Sequence, residues 1–132
     1  MVRFEKEMSA AAETRPEGTL ERIVAICRAY CDFALAQPSG VRLMFALTRD
    51  HGDDEAVVVQ GNASLSVVAE AIATLDEFDE RTAGPKAVES WAFVHGLLFL
   101  MIDKKVRVSG IEIDLETMLH DVSRRMLGRD AT

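Results

Sequence analysis

The sequence predicts an all-α fold, a single-domain bundle of about six helices. Apolar residues recur at helical spacing along most of the chain. No Asn-Gly or Asp-Gly hairpin turn occurs, and alternation of period two is confined to a few residues in "VRVSGIEID" at 106–114. The 132 residues are 48% hydrophobic and 28% charged, which is typical of one globular domain with a sizeable core. We therefore expect residues 1–132 to form one domain.

The first two helices are predicted over about 2–13 and 20–37. "TRPEG" at 14–18 breaks helical continuity between them, and Thr19 can cap the second helix. Pro38 disfavours helical geometry in the residue before it, so this helix should end at Gln37. Apolar residues cover most of its circumference and leave mainly Glu21, Arg28 and Asp32 for water, which marks a central helix. Its main apolar stripe is Leu20, Ile23, Val24, Cys27, Cys31, Ala34 and Leu35.

Four further helices follow from the same signals. The third is predicted from Pro38 through "PSGVRLMFALT", and a fourth over 55–80 with a break at "QGN" (60–62). "TAGP" at 82–85 should separate the fourth from a fifth helix over 85–105. Asp114 can cap a last helix over 114–128.

The fifth predicted helix contains "WAFVHGLLFLMI" at 91–102, which carries no formal charge on any side. A membrane span needs about 20 such residues, whereas runs of about 10–14 mark helices buried in a core. We therefore expect no membrane segment and a helix that is covered on two sides.

The formal net charge of −7 and the pI near 4.9 disfavour nucleic-acid binding, which depends on Lys and Arg replacing counterions around phosphates. We expect this chain alone not to bind DNA directly. The start "MVRFEKEMSAAAE" lacks the features of a secretory signal or a lipidation motif, so a cytoplasmic location is expected.

Two segments together resemble the C-terminal domain of TetR-type transcriptional regulators. They are "AYCDFALAQPSGVRLMF" at 29–45 and "WAFVHGLLFL" at 91–100. The second resembles the subgroup that carries Trp, His and Gly on the penultimate helix, matched here by Trp91, His95 and Gly96. The resemblance implies an effector-binding and dimerisation domain. The family's N-terminal helix-turn-helix head has no counterpart before Phe4, so we expect it to be absent from this chain.

The resemblance implies a homodimer in which the last two helices of each subunit form a four-helix interface. A helix facing both its own subunit and a second one can be apolar all round. The predicted interface consists of Ala92, Gly96, Phe99, Leu100, Leu115, Met118, Leu119 and Val122.

The resemblance also implies a cavity between the central and penultimate helices that takes a small apolar or aromatic effector. The candidate ligand-binding residues are Cys27, Tyr30, Cys31, Phe45, Trp91 and His95. Core packing explains Trp91 and Tyr30 equally well, and His95 can instead hold a structural hydrogen bond between helices.

We expect neither catalysis nor a cofactor or metal. His51, His95 and His120 do not show the spacing of metal ligands, and the cysteines are expected to be small buried thiols. The enzymatic alternative is a small helical peroxide-reducing protein, but its thiol spacing is wrong. The other alternative is a headless interaction module that pairs with a full-length regulator.

Overall fold

The computed structural model describes residues 2–36, 65–102 and 114–128, and the regular secondary structure within them is entirely α-helical. Five helices are present there: α1 (Val2–Glu13), α2 (Leu20–Ala36), α3 (65–73), α4 (Glu80–Ile102) and α5 (Leu115–Met126). This confirms the all-α prediction. The helix predicted from Pro38, the break at 60–62 and Phe45 lie outside the described residues.

Helix α2 lies at the centre of the subunit, as the sequence predicts. It packs against α1, α4 and α5, while Glu21 and Asp32 face solvent. The hydroxyl of Thr19 accepts the backbone N–H of Arg22 at 3.3 Å, which confirms the predicted cap. The side chains of α2 buried in the core are Leu20, Ile23, Val24, Ile26, Cys27, Tyr30, Cys31 and Ala34.

The turn between α1 and α2 is tied to the end of α3. Gly18 has φ of 76°, in the left-handed region, and its N–H donates to the Thr74 hydroxyl at 3.0 Å. That hydroxyl donates in turn to the carbonyl of Ala71 at 2.6 Å. A Cβ at Gly18 would lie 3.3 Å from the Thr74 carbonyl oxygen, so both φ and space favour glycine there.

The predicted end of α3 and the predicted start of α4 are wrong by several residues. Helix α3 ends at 73 rather than 80, and α4 begins at Glu80 and runs through "TAGP" rather than starting at Pro85. The Asp79 carboxylate caps α4 by accepting the N–H groups of Arg81 at 2.9 Å and Thr82 at 3.0 Å. Pro85 removes one backbone donor in the second turn, but the cap and the buried Ala83 and Ala87 stabilise that turn nonetheless.

Helix α5 closes the subunit over α2. The Asp114 side chain accepts the N–H of Thr117 at 3.3 Å, which confirms the predicted cap. Leu115, Leu119 and Ser123 form its buried face. At the surface, the Arg28 guanidinium on α2 bonds Glu116 at 2.8 Å and Asp32 at 3.0 Å. Exposed pairs of this kind contribute about 0.2–1 kcal/mol each, so burial rather than charge holds α5 in place.

Glycine-to-alanine substitutions at Gly18 and Gly84 should have different effects on stability. Gly18→Ala places a Cβ at positive φ and near Thr74, and should lower the free energy of unfolding by about 1–2 kcal/mol. Gly84→Ala has open space around the Cβ apart from Pro85, which disfavours helical geometry in a preceding residue that carries a Cβ, so the gain of about 0.5–1 kcal/mol in helix propensity should be largely offset. Urea unfolding followed by circular dichroism measures both. A stabilising Gly18→Ala would contradict the described turn.

Candidate functional site

Three of the predicted ligand residues meet where α2 faces α4. The Tyr30 hydroxyl and the His95 Nε2 are 2.6 Å apart, a short hydrogen bond between the two helices. The His95 ring lies 5.4 Å from the Tyr30 ring in a stacked arrangement, and 4.4 Å from the Trp91 ring at a tilt of 57°. Trp91 and His95 share one side of α4 because they are four residues apart. These residues, Tyr30, Trp91 and His95, are called the aromatic cluster below.

Burial keeps both members of the hydrogen-bonded pair uncharged near neutral pH. Burial lowers the pKa of His95 from 6.5 to about 4, and it raises the pKa of Tyr30 well above its ordinary value. The phenol therefore keeps its proton and the imidazole is neutral. Either Tyr30 donates to a bare Nε2, or a protonated Nε2 donates to the phenol oxygen. In both tautomers the contact links two neutral groups.

The indole nitrogen of Trp91 is a buried donor without a hydrogen-bond partner. The indole N–H is close enough to the Tyr30 phenol to oppose the rise in that pKa, yet its geometry does not make a hydrogen bond. A buried donor left unpaired costs about 1–3 kcal/mol of desolvation. The cluster thus combines one satisfied pair with one unsatisfied N–H group.

Cys27 and Cys31 are free, buried thiols next to this cluster on α2, as the sequence predicts. Burial raises the pKa of Cys27 to about 11 and that of Cys31 to about 12. Both thiols are therefore protonated at neutral pH, and a thiol acts as a nucleophile only as the thiolate. The environment of these cysteines disfavours the peroxide-reducing alternative.

Ser90 is a buried polar residue of α4 that the sequence analysis missed. Its hydroxyl lies 3.7 Å from the Cys27 sulfur, so the two side chains make a weak contact between α2 and α4. Helical spacing could have identified it, since Ser90 lies three residues after Ala87 and four before Val94, both of which are buried.

The described residues do not test the predicted cavity between α2 and α4. Phe45, the sixth predicted ligand residue, lies outside those residues. Two grooves of about 260 and 530 Å³ lie elsewhere, one where α1 and α2 meet α3 and the other between α1 and α2. None of the predicted ligand residues lines either groove, and the cavity stays a prediction.

The outer side of α4 carries an exposed apolar stripe. Val88 is 49% exposed, Phe99 51% and Leu100 43%. Ala92 and Gly96 lie between them and are also exposed, and a Cβ at Gly96 would meet no atom within 4 Å. These five residues are called the α4 stripe below, in which Val88 lies one turn before Ala92.

The interface residues predicted on α5 fall into two groups. Met118 and Val122 are half-buried, whereas Leu115 is 9% exposed and Leu119 is 1% exposed in the single subunit. Leu115 and Leu119 are therefore buried in the core of the single chain, and the interface itself stays a prediction.

Neither a metal site nor a membrane span is found in the described part of the chain. Residues 2–36, 65–102 and 114–128 contain no group of three or more His, Cys, Asp or Glu placed to hold a metal ion. None of the helices in those ranges is long and apolar enough to cross a membrane.

A family of known proteins matches most of the chain. The family described as "Tetracyclin repressor-like, C-terminal domain" matches residues 23–126, which include the aromatic cluster and the α4 stripe. No curated protein and no solved structure gives a significant match.

The stability of the protein should fall as the pH drops below 6.5 because of His95. Its pKa is about 4 in the folded chain against 6.5 ordinarily, so the unfolded chain takes up a proton first. This contribution is fully present above pH 6.5 and is lost as the pH falls toward 4. The loss should reach about 1–2 kcal/mol between pH 6.5 and 5.

Urea midpoints of wild type and His95→Gln across this range measure the effect. Gln can still bond the Tyr30 hydroxyl but does not titrate, so the variant should show a flatter pH dependence. Equal slopes for the two proteins would contradict a buried neutral imidazole.

Proposed function

We propose a function from the premise that this chain belongs to the family of tetracyclin repressor-like C-terminal domains. It binds a small molecule inside the subunit and pairs with a second copy of itself, as the regulatory domain of a TetR-type transcriptional regulator. The observation that carries the proposal is the division of α4 into two sides. One side contributes Trp91 and His95 to the aromatic cluster, and the other presents the α4 stripe to solvent.

The α4 stripe supports pairing between two copies of the chain. Soluble monomers rarely keep large contiguous apolar patches in water. A two-fold axis places the same helix of both subunits in contact, so one stripe covers its equivalent. Small residues at Ala92 and Gly96 allow the two backbones to approach, while Phe99 and Leu100 supply apolar area. Met118 and Val122 on α5 are partly accessible and can extend the interface.

The aromatic cluster supports ligand binding on the inner side of α4. Ligand sites are mostly apolar and contain a few polar groups that fix orientation. The Tyr30–His95 pair and the indole N–H are such groups, and the neighbouring buried thiols are uncharged. A ligand here touches α2 and α4 together.

Helix α4 gives a physical route from the ligand to the dimer. A ligand shifts an equilibrium between two helix arrangements only through its different affinity for each of them. Because α4 carries both the cluster and the stripe, a change in its position at Trp91 also moves Ala92 and Gly96. Attached DNA-binding heads would then change their spacing. This mechanism requires no chemical turnover.

A module that only pairs with another regulator remains the second candidate, because the same α4 stripe would serve it. It differs from a sensor in needing no ligand at the aromatic cluster. The two functions are therefore separated by ligand binding and not by dimerisation.

The wild-type chain should sediment as a dimer at micromolar concentration, and Gly96→Arg should sediment as a monomer. Arg fits at Gly96 within one subunit, since the Cβ has open space, but it would bring a desolvated charge into the paired helices. Ser66→Arg on the exposed surface of α3 is the matched control and should remain dimeric.

The sedimentation of the wild type and that of Gly96→Arg test two different statements. A monomeric wild type would refute pairing itself. A Gly96→Arg protein that stays dimeric would refute only the placement of Gly96 in the interface.

Ligand sensing should appear as a rise in melting temperature with members of a library of small, uncharged apolar and aromatic compounds. A compound at 100 times its Kd stabilises the folded state by about 2.7 kcal/mol. The chain contains one tryptophan, so a change in its fluorescence reports binding at Trp91. His95→Ala should weaken both signals without changing the sedimentation of the dimer. A library without any stabilising compound would favour the pairing-only module.

A further inference from the structure

The unpaired indole N–H of Trp91 limits what the ligand can be. Among the described side chains, its Nε1 is the one buried nitrogen or oxygen that has no hydrogen-bond partner. Indole nitrogen only donates, so an acceptor atom is the one kind of group that can satisfy it. The indole as a whole is only partly buried, although its nitrogen is fully covered.

The Tyr30 phenol is the one cluster oxygen that could accept from the indole, and the Trp91 N–H is close enough to oppose the rise in the pKa of Tyr30, but the two groups do not reach the geometry of a hydrogen bond. The Tyr30 hydroxyl and His95 Nε2 bond each other at 2.6 Å across the two helices. The imidazole ring lies 4.4 Å from the Trp91 ring at a tilt of 57° and makes no hydrogen bond with the indole nitrogen. The Cys27 sulfur lies beside the Ser90 hydroxyl.

We propose that the ligand carries an uncharged hydrogen-bond acceptor, such as a carbonyl, ether or hydroxyl oxygen, on an apolar body, and that this atom accepts the indole N–H of Trp91. This inference rests on the proposed sensing function and adds the chemical class of the ligand. The acceptor relieves a desolvation cost that the free protein carries, so it contributes more to affinity than one hydrogen bond exchanged with water.

The absence of charge follows from the surroundings of the indole. Among the described residues, the side chains beside the indole are the His95 imidazole and the buried Tyr30 phenol, and both are uncharged at neutral pH. A carboxylate that leaves water needs a cation or several donors to compensate its desolvation. The indole N–H is a single donor, and the neutral histidine beside it supplies no positive charge to compensate a carboxylate.

The first arm of the test uses the ligand-free protein. Because the chain has one tryptophan, biosynthetic replacement by benzothienylalanine removes the N–H at position 91 alone with little change in shape. The melting temperature should stay the same or rise, since the lost donor had no partner. 5-Fluorotryptophan, which keeps the N–H, is the matched control. A clear drop in melting temperature for benzothienylalanine alone would overturn the proposal, because the N–H would then already be bonded.

The second arm compares three probes of similar size by calorimetry at millimolar concentration. Acetophenone has a carbonyl oxygen, α-methylstyrene replaces that oxygen with a CH₂ group, and benzoate is an anion. The unmodified protein should bind acetophenone about tenfold more tightly than α-methylstyrene, the ratio that one satisfied donor of about 1.4 kcal/mol produces. In the benzothienylalanine protein the two affinities should be nearly equal.

Each remaining outcome contradicts the proposal. It would be overturned if the unmodified protein bound acetophenone and α-methylstyrene equally, or if the preference for acetophenone survived loss of the N–H. Tighter binding of benzoate, or no binding of any probe, would also overturn it. The proposed sensing function has its own test, and it is wrong if the library of uncharged compounds contains no ligand. Stabilisation by library compounds that lack an acceptor would leave sensing intact and remove only this inference.

Discussion

Helix α2 carries apolar side chains around most of its circumference, and the rest of the subunit is arranged to cover them. Burial of apolar surface is the main favourable term in folding, so a helix of this kind is stable only when several others pack on it. Helices α1, α4 and α5 do so. Arg28 lies at the margin of this enclosure, where it reaches both Asp32 and Glu116 at the surface.

The packing of other helices on α2 also buries polar atoms, and these atoms are the hydrogen-bonding groups of the candidate site. The Tyr30 hydroxyl is buried with its helix, and a buried hydroxyl needs a hydrogen-bond partner. His95 on α4 provides that partner, and desolvation keeps its imidazole neutral. The same enclosure leaves the Trp91 N–H covered and unpaired. The polar features that suggest a ligand site thus follow from the packing of one apolar helix.

Helix α4 connects this interior to the surface because its two sides meet different environments. Val94, Leu97 and Leu98 are buried in the subunit, whereas Phe99 and Leu100 are exposed. A rigid helix transmits a displacement on one side to the other without a longer chain of contacts. An apolar helix that is covered by its own chain on only one side therefore fits the proposed coupling of ligand binding to pairing.

The sequence by itself determined the helical class, the central position of α2 and the starts of α2 and α5. Those features depend on neighbours in the chain: apolar spacing near 3.6 residues, and caps such as Thr19 and Asp114 that bond N–H groups three residues ahead. The aromatic residues of the site could likewise be named, because Trp91 and His95 stand four apart on one helix.

Only the tertiary structure decided how these elements meet. Local breakers in "TAGP" suggested a boundary, but the Asp79 cap and the burial of Ala83 and Ala87 extend α4 through it. The apolar stripe of α5 could face either a second copy of the chain or its own core. In the structure, Leu115 and Leu119 are buried where α5 packs on α2. The bond between Tyr30 and His95 and the contact between Cys27 and Ser90 join residues more than 60 positions apart. Spacing along a helix shows which side chains share a face, but it does not show which distant element covers that face.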